Sequence, residues 1–122
     1  MIIVAEPRLA ETPNAAMTSY ATPSLGSTEV CAWRVSMQAD TQGPVHAIDR
    51  EQVWLPLTGT LTFTVDDTTT TVGPGQSAIL PAGELRQIRA ADGPVEALVC
   101  MPIGGQASVP DRADAVPLPW AQ

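Results

Sequence analysis

Short stretches in which apolar and polar residues alternate recur along the middle of this chain. In Val30–Met37 the alternation places Trp33, Val35 and Met37 on one face. Further strand-like runs are Gln52–Leu57, Leu61–Val65, Ser77–Leu80, Leu85–Arg89 and Val95–Met101, together with Thr68–Val72, a run of β-favouring threonines. A period of two is the pattern of half-buried β-strands, and no stretch shows the apolar period of a long helix. The pattern predicts an all-β protein in which any helix is short.

Turn-forming residues separate these runs. Asp66-Asp67 fits a two-residue hairpin turn between two of them. Other breaks fall at Gly73-Pro74-Gly75, Pro81-Ala82-Gly83 and Ala91–Pro94. Many short strands joined by Gly/Pro turns at close spacing indicate an antiparallel sandwich or barrel.

The two ends differ from the middle in composition. The chain of 122 residues fits a single domain, and we expect the barrel core over residues 28–104. Met1–Val4 is apolar enough for an edge strand, and the Pro-, Thr-, Ala- and Ser-rich stretch Ala5–Ser27 completes an extended N-terminal arm over residues 1–27. Prolines near the other end predict a wrapped C-terminal tail over residues 105–122.

Charge and rare residue types exclude several functions. A net charge of −7 argues against binding to nucleic acid or to an anionic membrane. No apolar run reaches the length of a membrane span and no secretory signal is apparent, so we expect a cytoplasmic protein. The chain has no lysine, which excludes Schiff-base chemistry, and Cys31 and Cys100 are expected to be reduced. The single histidine, His46, cannot form a three-histidine metal site.

Two motifs carry a family resemblance, and the first surrounds His46. It resembles the cupin pattern G-x5-H-x-H-x(3,4)-E-x6-G, of which His46 and the closing Gly59 match. The second histidine position holds Ile48 and the glutamate position holds Gln52. Asp40 stands at the opening glycine position.

The second motif is the better match. It resembles the cupin pattern G-x5-P-x-G-x2-H-x3-N, in which Gly75, Pro81 and Gly83 fall at the family spacing. The histidine position holds Arg86 and the asparagine position holds Ala90. The resemblance spans about residues 30–102 and is closest to small bacterial single-domain cupins with degenerate metal-binding motifs.

This resemblance implies a jelly-roll antiparallel β-barrel of two facing sheets, with the motif side chains pointing inward. In metal-binding cupins these positions hold a divalent ion with three imidazoles and a carboxylate. Here they hold His46, Ile48, Gln52 and Arg86, of which Ile48 has no lone pair and Arg86 repels a cation. We therefore expect no metal and no other cofactor.

The polar candidates each have a functional and a structural interpretation. His46 is either the general acid/base of a pocket or a hydrogen-bonded barrel histidine. Arg86 is either a pocket cation for a carboxylate or phenolate or a solvated charge at a strand end. Gln52 either orients a ligand or is a satisfied buried amide. The apolar candidates for a pocket wall, which could equally be plain core, are Trp33, Met37, Ile48, Trp54 and Met101.

Three functions remain open at this point. The first is a metal-independent enzyme of isomerase, cyclase or condensing type acting on an aromatic or anionic, natural-product-like small molecule. The second is a non-catalytic small-molecule binding or sensor module that uses the same pocket. The third, a metal-dependent dioxygenase or cyclase, conflicts with the ligand substitutions. A fold that hosts so many activities does not decide among them.

A homodimer is also expected. An edge strand at Met1–Val4 would expose unpaired backbone N–H and C=O groups, which a second copy could cover.

Overall fold

The computed structural model describes residues 1–122 and contains only strands, turns and two single-turn 3₁₀ helices. The strands are β1 (Arg8–Glu11), β2 (Ala16–Ala21), β3 (Val30–Met37), β4 (Thr41–Gln42), β5 (Ala47–Ile48), β6 (Gln52–Thr58), β7 (Leu61–Val65), β8 (Thr68–Val72), β9 (Ala78–Leu80), β10 (Gln87–Ala90), β11 (Val95–Pro102), β12 (Gln106–Ser108) and β13 (Val116–Pro117). The 3₁₀ helices are Pro23–Leu25 and Pro119–Ala121. No helix is long and apolar enough to cross a membrane.

The strands form two principal sheets and one small one. The six-stranded sheet has the order β1-β2-β3-β11-β6-β9, and the four-stranded sheet has the order β4-β10-β7-β8. A three-stranded sheet, β13-β12-β5, joins the end of the chain to the first motif. Every pairing is antiparallel. The prediction of an all-β antiparallel jelly roll is confirmed.

The alternation along the strands builds one core between the two principal sheets. On β3, Trp33, Val35 and Met37 are buried while the residues between them are more exposed, as the period of two predicts. Leu61 and Phe63 of β7 meet them from the opposite sheet, in the same cluster of buried side chains. The two sheets therefore face each other across a shared apolar interior.

Two tight turns fix the arrangement of the motif strands. Val65 pairs with Thr68, so Asp66 and Asp67 form the predicted two-residue turn, with Asp66 at a φ of 52°. Gly59, the glycine that closes the first motif, has a φ of 76°, and a Cβ atom there would collide with the Pro94 carbonyl oxygen. This position needs glycine for both its backbone conformation and its close contact.

The sequence interpretation of the N-terminal region is wrong. Met1–Val4 forms no strand, and the edge strands of the six-stranded sheet are β1, Arg8–Glu11, and β9, Ala78–Leu80. The stretch expected to be an arm instead contributes β1 and β2, which pair with each other and, through β2, with β3. Tertiary pairing overrides the weak strand propensity of its alanines and serines.

The tail also contains more structure than expected. β13 pairs with β12, and the last 3₁₀ helix packs against β2 and β3. Leu118 and Ala121 are buried in the main core, while Trp120 packs edge-on against Trp33 with their ring centroids 6.5 Å apart. The end of the chain is thus part of the barrel wall.

Candidate functional site

A cavity of about 360 Å³ opens between the sheets. Eleven of its eighteen lining residues are hydrophobic, and the walls include Trp33 and Met37 of β3, Trp54 of β6 and Ile88 of β10. Its volume lies within the range of small-molecule sites, and its apolar lining is typical of them. No carboxylate and no lysine or arginine lines the cavity. The lining itself therefore offers apolar surface and a few neutral polar groups.

His46 lies in this wall just before β5. Its backbone N–H donates to the Arg86 carbonyl at 3.0 Å, and the Arg86 N–H donates back to the His46 carbonyl at 2.9 Å. The ring nitrogen Nδ1 lies 2.9 Å from the carbonyl oxygen of Pro44. Because a carbonyl oxygen only accepts, Nδ1 carries the hydrogen, and in the neutral ring Nε2 keeps its lone pair.

The electrostatic surroundings keep this imidazole neutral. Desolvation by burial lowers the pKa of His46 below its ordinary value of 6.5, and the positive charge of Arg86 lowers it further. The hydrogen bond to Pro44 opposes both effects without reversing them. A neutral imidazole with a fixed tautomer can accept a proton at Nε2.

Gln52 is a buried amide that holds its neighbours in place. The indole Nε1 of Trp54 donates to Gln52 Oε1 at 3.1 Å, and Gln52 Nε2 donates to the Met101 sulfur at 3.6 Å. Gln52 lines the cavity, but both ends of its amide already have partners. In this structure it fixes the orientation of the Trp54 ring that forms part of the wall.

Arg86 is fully buried, and the interpretation of it as a solvated strand-end charge is wrong. Its Nη2 donates to the Pro81 carbonyl at 3.3 Å, whereas Nε and Nη1 have no acceptor in the protein. Burial lowers its pKa, and the charge of Glu84 partly compensates. Arg86 is not among the residues that line the cavity, so the expectation that it contacts the pocket directly is corrected.

The apolar candidates divide in a similar way. Trp33, Met37, Ile48 and Trp54 line the cavity and also belong to the buried core. Met101 belongs to the core but lies outside the lining, where its sulfur meets Gln52. These four side chains are therefore both core and pocket wall, since they belong to the buried cluster and also border the cavity.

Sequence reasoning missed two parts of the wall. Thr12–Ala15, the turn between β1 and β2, lines the cavity and brings the Asn14 side chain to it. Leu118 and Trp120 line it from the end of the chain. A signal for the first was present, since Thr12-Pro13-Asn14 is a turn-forming sequence.

The residues at the cupin metal positions do not fit a metal ion. No three His, Cys, Asp or Glu side chains lie close enough together to hold one. Ile48 offers no donor, the Gln52 oxygen already accepts from Trp54, and the fourth position carries the guanidinium of Arg86. A fixed positive charge stands where a cation would need a lone pair.

The fold and site define a small β-barrel protein with one apolar, ligand-sized cavity. The family model of the cupin domain matches residues 33–101, which is more than half of the sequence, and the chain belongs to the cupin family. No curated protein sequence matches this chain.

Several solved structures share this fold. The DMSP lyase DddQ from Ruegeria pomeroyi superposes with a TM-score of 0.73 at 19% identity, over 88% of this chain and 63% of the lyase. The polyketide cyclase RemF from Streptomyces resistomycificus gives 0.67 at 21% identity, over 83% of this chain and 71% of the cyclase. A cupin-superfamily sugar phosphate isomerase from Silicibacter pomeroyi gives 0.64 at 19% identity, over 79% and 66% of the two chains. Identities this low establish the common fold alone.

Proposed function

We propose that this cupin is a metal-independent enzyme that transfers a proton on a small, largely apolar substrate held in the cavity. His46 is the acid/base group, and the reaction is of isomerase, cyclase or condensing type. The observation that carries the proposal is a single neutral imidazole, with its tautomer fixed by Pro44, in a largely apolar wall that has no other titratable group. Proton transfer by one positioned group accounts for rate enhancements of about 10²–10⁴-fold.

The remaining site residues support this role by shaping the wall. Trp33 and Trp54 present flat apolar surfaces that suit an aromatic or polycyclic substrate, and Gln52 fixes the Trp54 ring. The low polarity of the wall excludes water and keeps the imidazole neutral between turnovers. The similar structures include proteins described as a lyase, a polyketide cyclase and a sugar phosphate isomerase, so this barrel accommodates chemistry on small molecules.

A non-catalytic binding module is the second candidate. It is favoured by one observation: no second acid or base lines the cavity beside His46. An enzyme that moves a proton between two atoms of its substrate must then use His46 for both transfers.

Deuterium exchange distinguishes the two candidates without knowledge of the natural substrate. The bicyclic ketone 2-tetralone has acidic C–H bonds beside its carbonyl, and their exchange in D₂O is followed by proton NMR. We expect the parent protein to accelerate this exchange beyond an equal concentration of free imidazole, and His46→Gln to remove the acceleration while the ketone still binds. Arg34→Gln, on the outside of the barrel, is the matched control and should behave as the parent.

Three outcomes decide against the proposal. Binding of the ketone without accelerated exchange supports the binding module. Accelerated exchange that persists in His46→Gln would show that His46 is not the acid/base group. Exchange that is lost in a chelator and restored by a divalent metal supports the metal-dependent class instead.

A further inference from the structure

Arg86 is the charged group that the proposed proton transfer does not use. Its side chain is 0% exposed, yet the only ion pairs in the structure are Arg34–Glu96 and Arg50–Asp49, neither of which includes it. Nε and Nη1 point to no acceptor in the protein. Burying a cation without a carboxylate is unfavourable, and a protein that does so gains most when an anion comes near.

The backbone places this charge beside the cavity. His46 and Arg86 exchange two backbone hydrogen bonds across an antiparallel bridge. Directly opposed residues of such a pair project their side chains from the same face, and His46 projects into the cavity wall. The Arg86 side chain therefore leaves the backbone on the cavity side of the barrel, although Arg86 is not itself among the lining residues.

The groups around the cavity determine how far the charge of Arg86 is compensated. The lining contains no carboxylate that would cancel the charge of Arg86. Glu84 acts on Arg86 from outside the lining but forms no ion pair with it. Desolvation is the main cause of the lowered pKa of His46, and the charge of Arg86 adds to it, so Arg86 acts on a side chain of the cavity wall. In an apolar environment such a field is much stronger than it would be in water.

We propose that Arg86 makes this cavity selective for aromatic or other apolar ligands that carry one negative charge, such as an ionised carboxylate, phenolate or enolate. The guanidinium thus provides, without a metal, a positive charge at a motif position where metal-binding cupins carry a metal ligand. This inference rests on the proposed function, since it assumes that the cavity is the ligand site. It specifies the substrate class of that site.

Two matched fluorescent probes test the inference. N-phenyl-1-naphthylamine is neutral, and 8-anilinonaphthalene-1-sulfonate is the same ring system with one sulfonate. We expect the parent to bind the sulfonate at least about tenfold more tightly than the neutral probe, despite the net charge of −7. Arg86→Gln should remove this preference while leaving the affinity for the neutral probe within about twofold. Arg34→Gln should leave both affinities unchanged.

Further variants separate the explanations. Arg86→Lys keeps the charge and should keep the preference, so the inference stays testable if Arg86→Gln fails to fold. Ala107 lines the cavity, so Ala107→Trp places a large side chain there and should lower the affinity for both probes. That result would show that the probes bind in the cavity and not on the outer surface. The inferred anion selectivity is wrong if the parent binds both probes with equal affinity, or if Arg86→Gln lowers both affinities equally. The cavity would remain the binding site in either case. If neither probe responds to Ala107→Trp, the proposed function itself fails.

Discussion

His46 is the one titratable side chain in the cavity wall, and three neighbouring features set its protonation. Burial and the charge of Arg86 both lower its pKa, and the hydrogen bond from Nδ1 to Pro44 raises it by less. The result is an imidazole that stays neutral through physiological pH and is available as a base. Because the chain has only this histidine, each of these effects can be measured without overlap from others.

The lowered pKa makes a prediction about stability. Between the pKa of His46 in the fold and its unfolded value of about 6.5, the unfolded chain binds more protons, so the free energy of unfolding falls as pH falls through that window. Urea denaturation measures this free energy. Between about pH 7.5 and pH 5 we expect it to fall further for the parent than for His46→Gln. Proton NMR of the parent should place the His46 midpoint below 6.5. A midpoint at or above that value would contradict the neutral base.

Individual site residues were predictable where a motif or a strand period fixed their direction. His46, Ile48 and Gln52 were expected to point inward from their motif positions, and the structure places all three in the cavity wall. The burial of Arg86 was not predictable, because a long side chain at that position can either reach solvent or fold beneath the lining. Only the three-dimensional packing around Pro81 decides between these positions.

The β1–β2 hairpin is the element that local sequence describes worst. Pro7 and Pro13 flank β1, and the stretch Ala5–Ser27 that contains both strands is rich in Pro, Thr, Ala and Ser, so composition favours an irregular arm. The two strands form because β2 pairs along β3, whose register also buries Met17 and Ser19. The alternating strands of the barrel core could be predicted because each carries its own period of two.

The turn of this hairpin carries a prediction of its own. Thr12 Oγ1 accepts hydrogen bonds from the backbone N–H of Asn14 at 3.3 Å and of Ala15 at 3.1 Å. We expect Thr12→Ala to lower the free energy of unfolding by about 1 kcal/mol and to accelerate amide exchange at Ala15. Because the turn lines the cavity, the affinity for N-phenyl-1-naphthylamine should also fall in Thr12→Ala. Thr12→Ser keeps the hydroxyl and should resemble the parent. Unchanged exchange in Thr12→Ala would show that the backbone alone holds the turn.

At the scale of the whole molecule, the outer face of the six-stranded sheet is unusually apolar. Leu55 of β6 and Ile79 of β9 are 37% and 63% exposed. The strand register places Leu98 opposite Leu55, and Val53 opposite both Cys100 and Ile79. These five outward residues, Val53, Leu55, Ile79, Leu98 and Cys100, form an apolar patch of the kind that marks an interface.

If the protein is a homodimer, its interface is not the edge strand that the sequence suggested. Met1–Val4 is no strand, and β1, the edge strand nearest to it in sequence, is blunted by Arg8 and Glu11. The apolar patch is a better surface for a second copy. The outward charged residues of the central strands β3 and β11 are Arg34 and Glu96, which pair at 3.6 Å. This part of the face is thus neutral although the chain carries −7, so two copies can meet there without net repulsion.

We therefore predict a twofold dimer through the apolar patch. Light scattering at tens of micromolar should give twice the chain mass of 12.8 kDa for the parent. The double substitution Leu55→Glu with Ile79→Glu puts unpaired charges into the proposed contact and should give the mass of one chain, with an unchanged circular dichroism spectrum. Leu9→Glu, at an exposed leucine on β1 outside the patch, is the control and should remain dimeric. A parent protein with the mass of one chain would contradict the predicted dimer. A dimer lost in Leu9→Glu but kept in the double variant would move the interface to the edge strand.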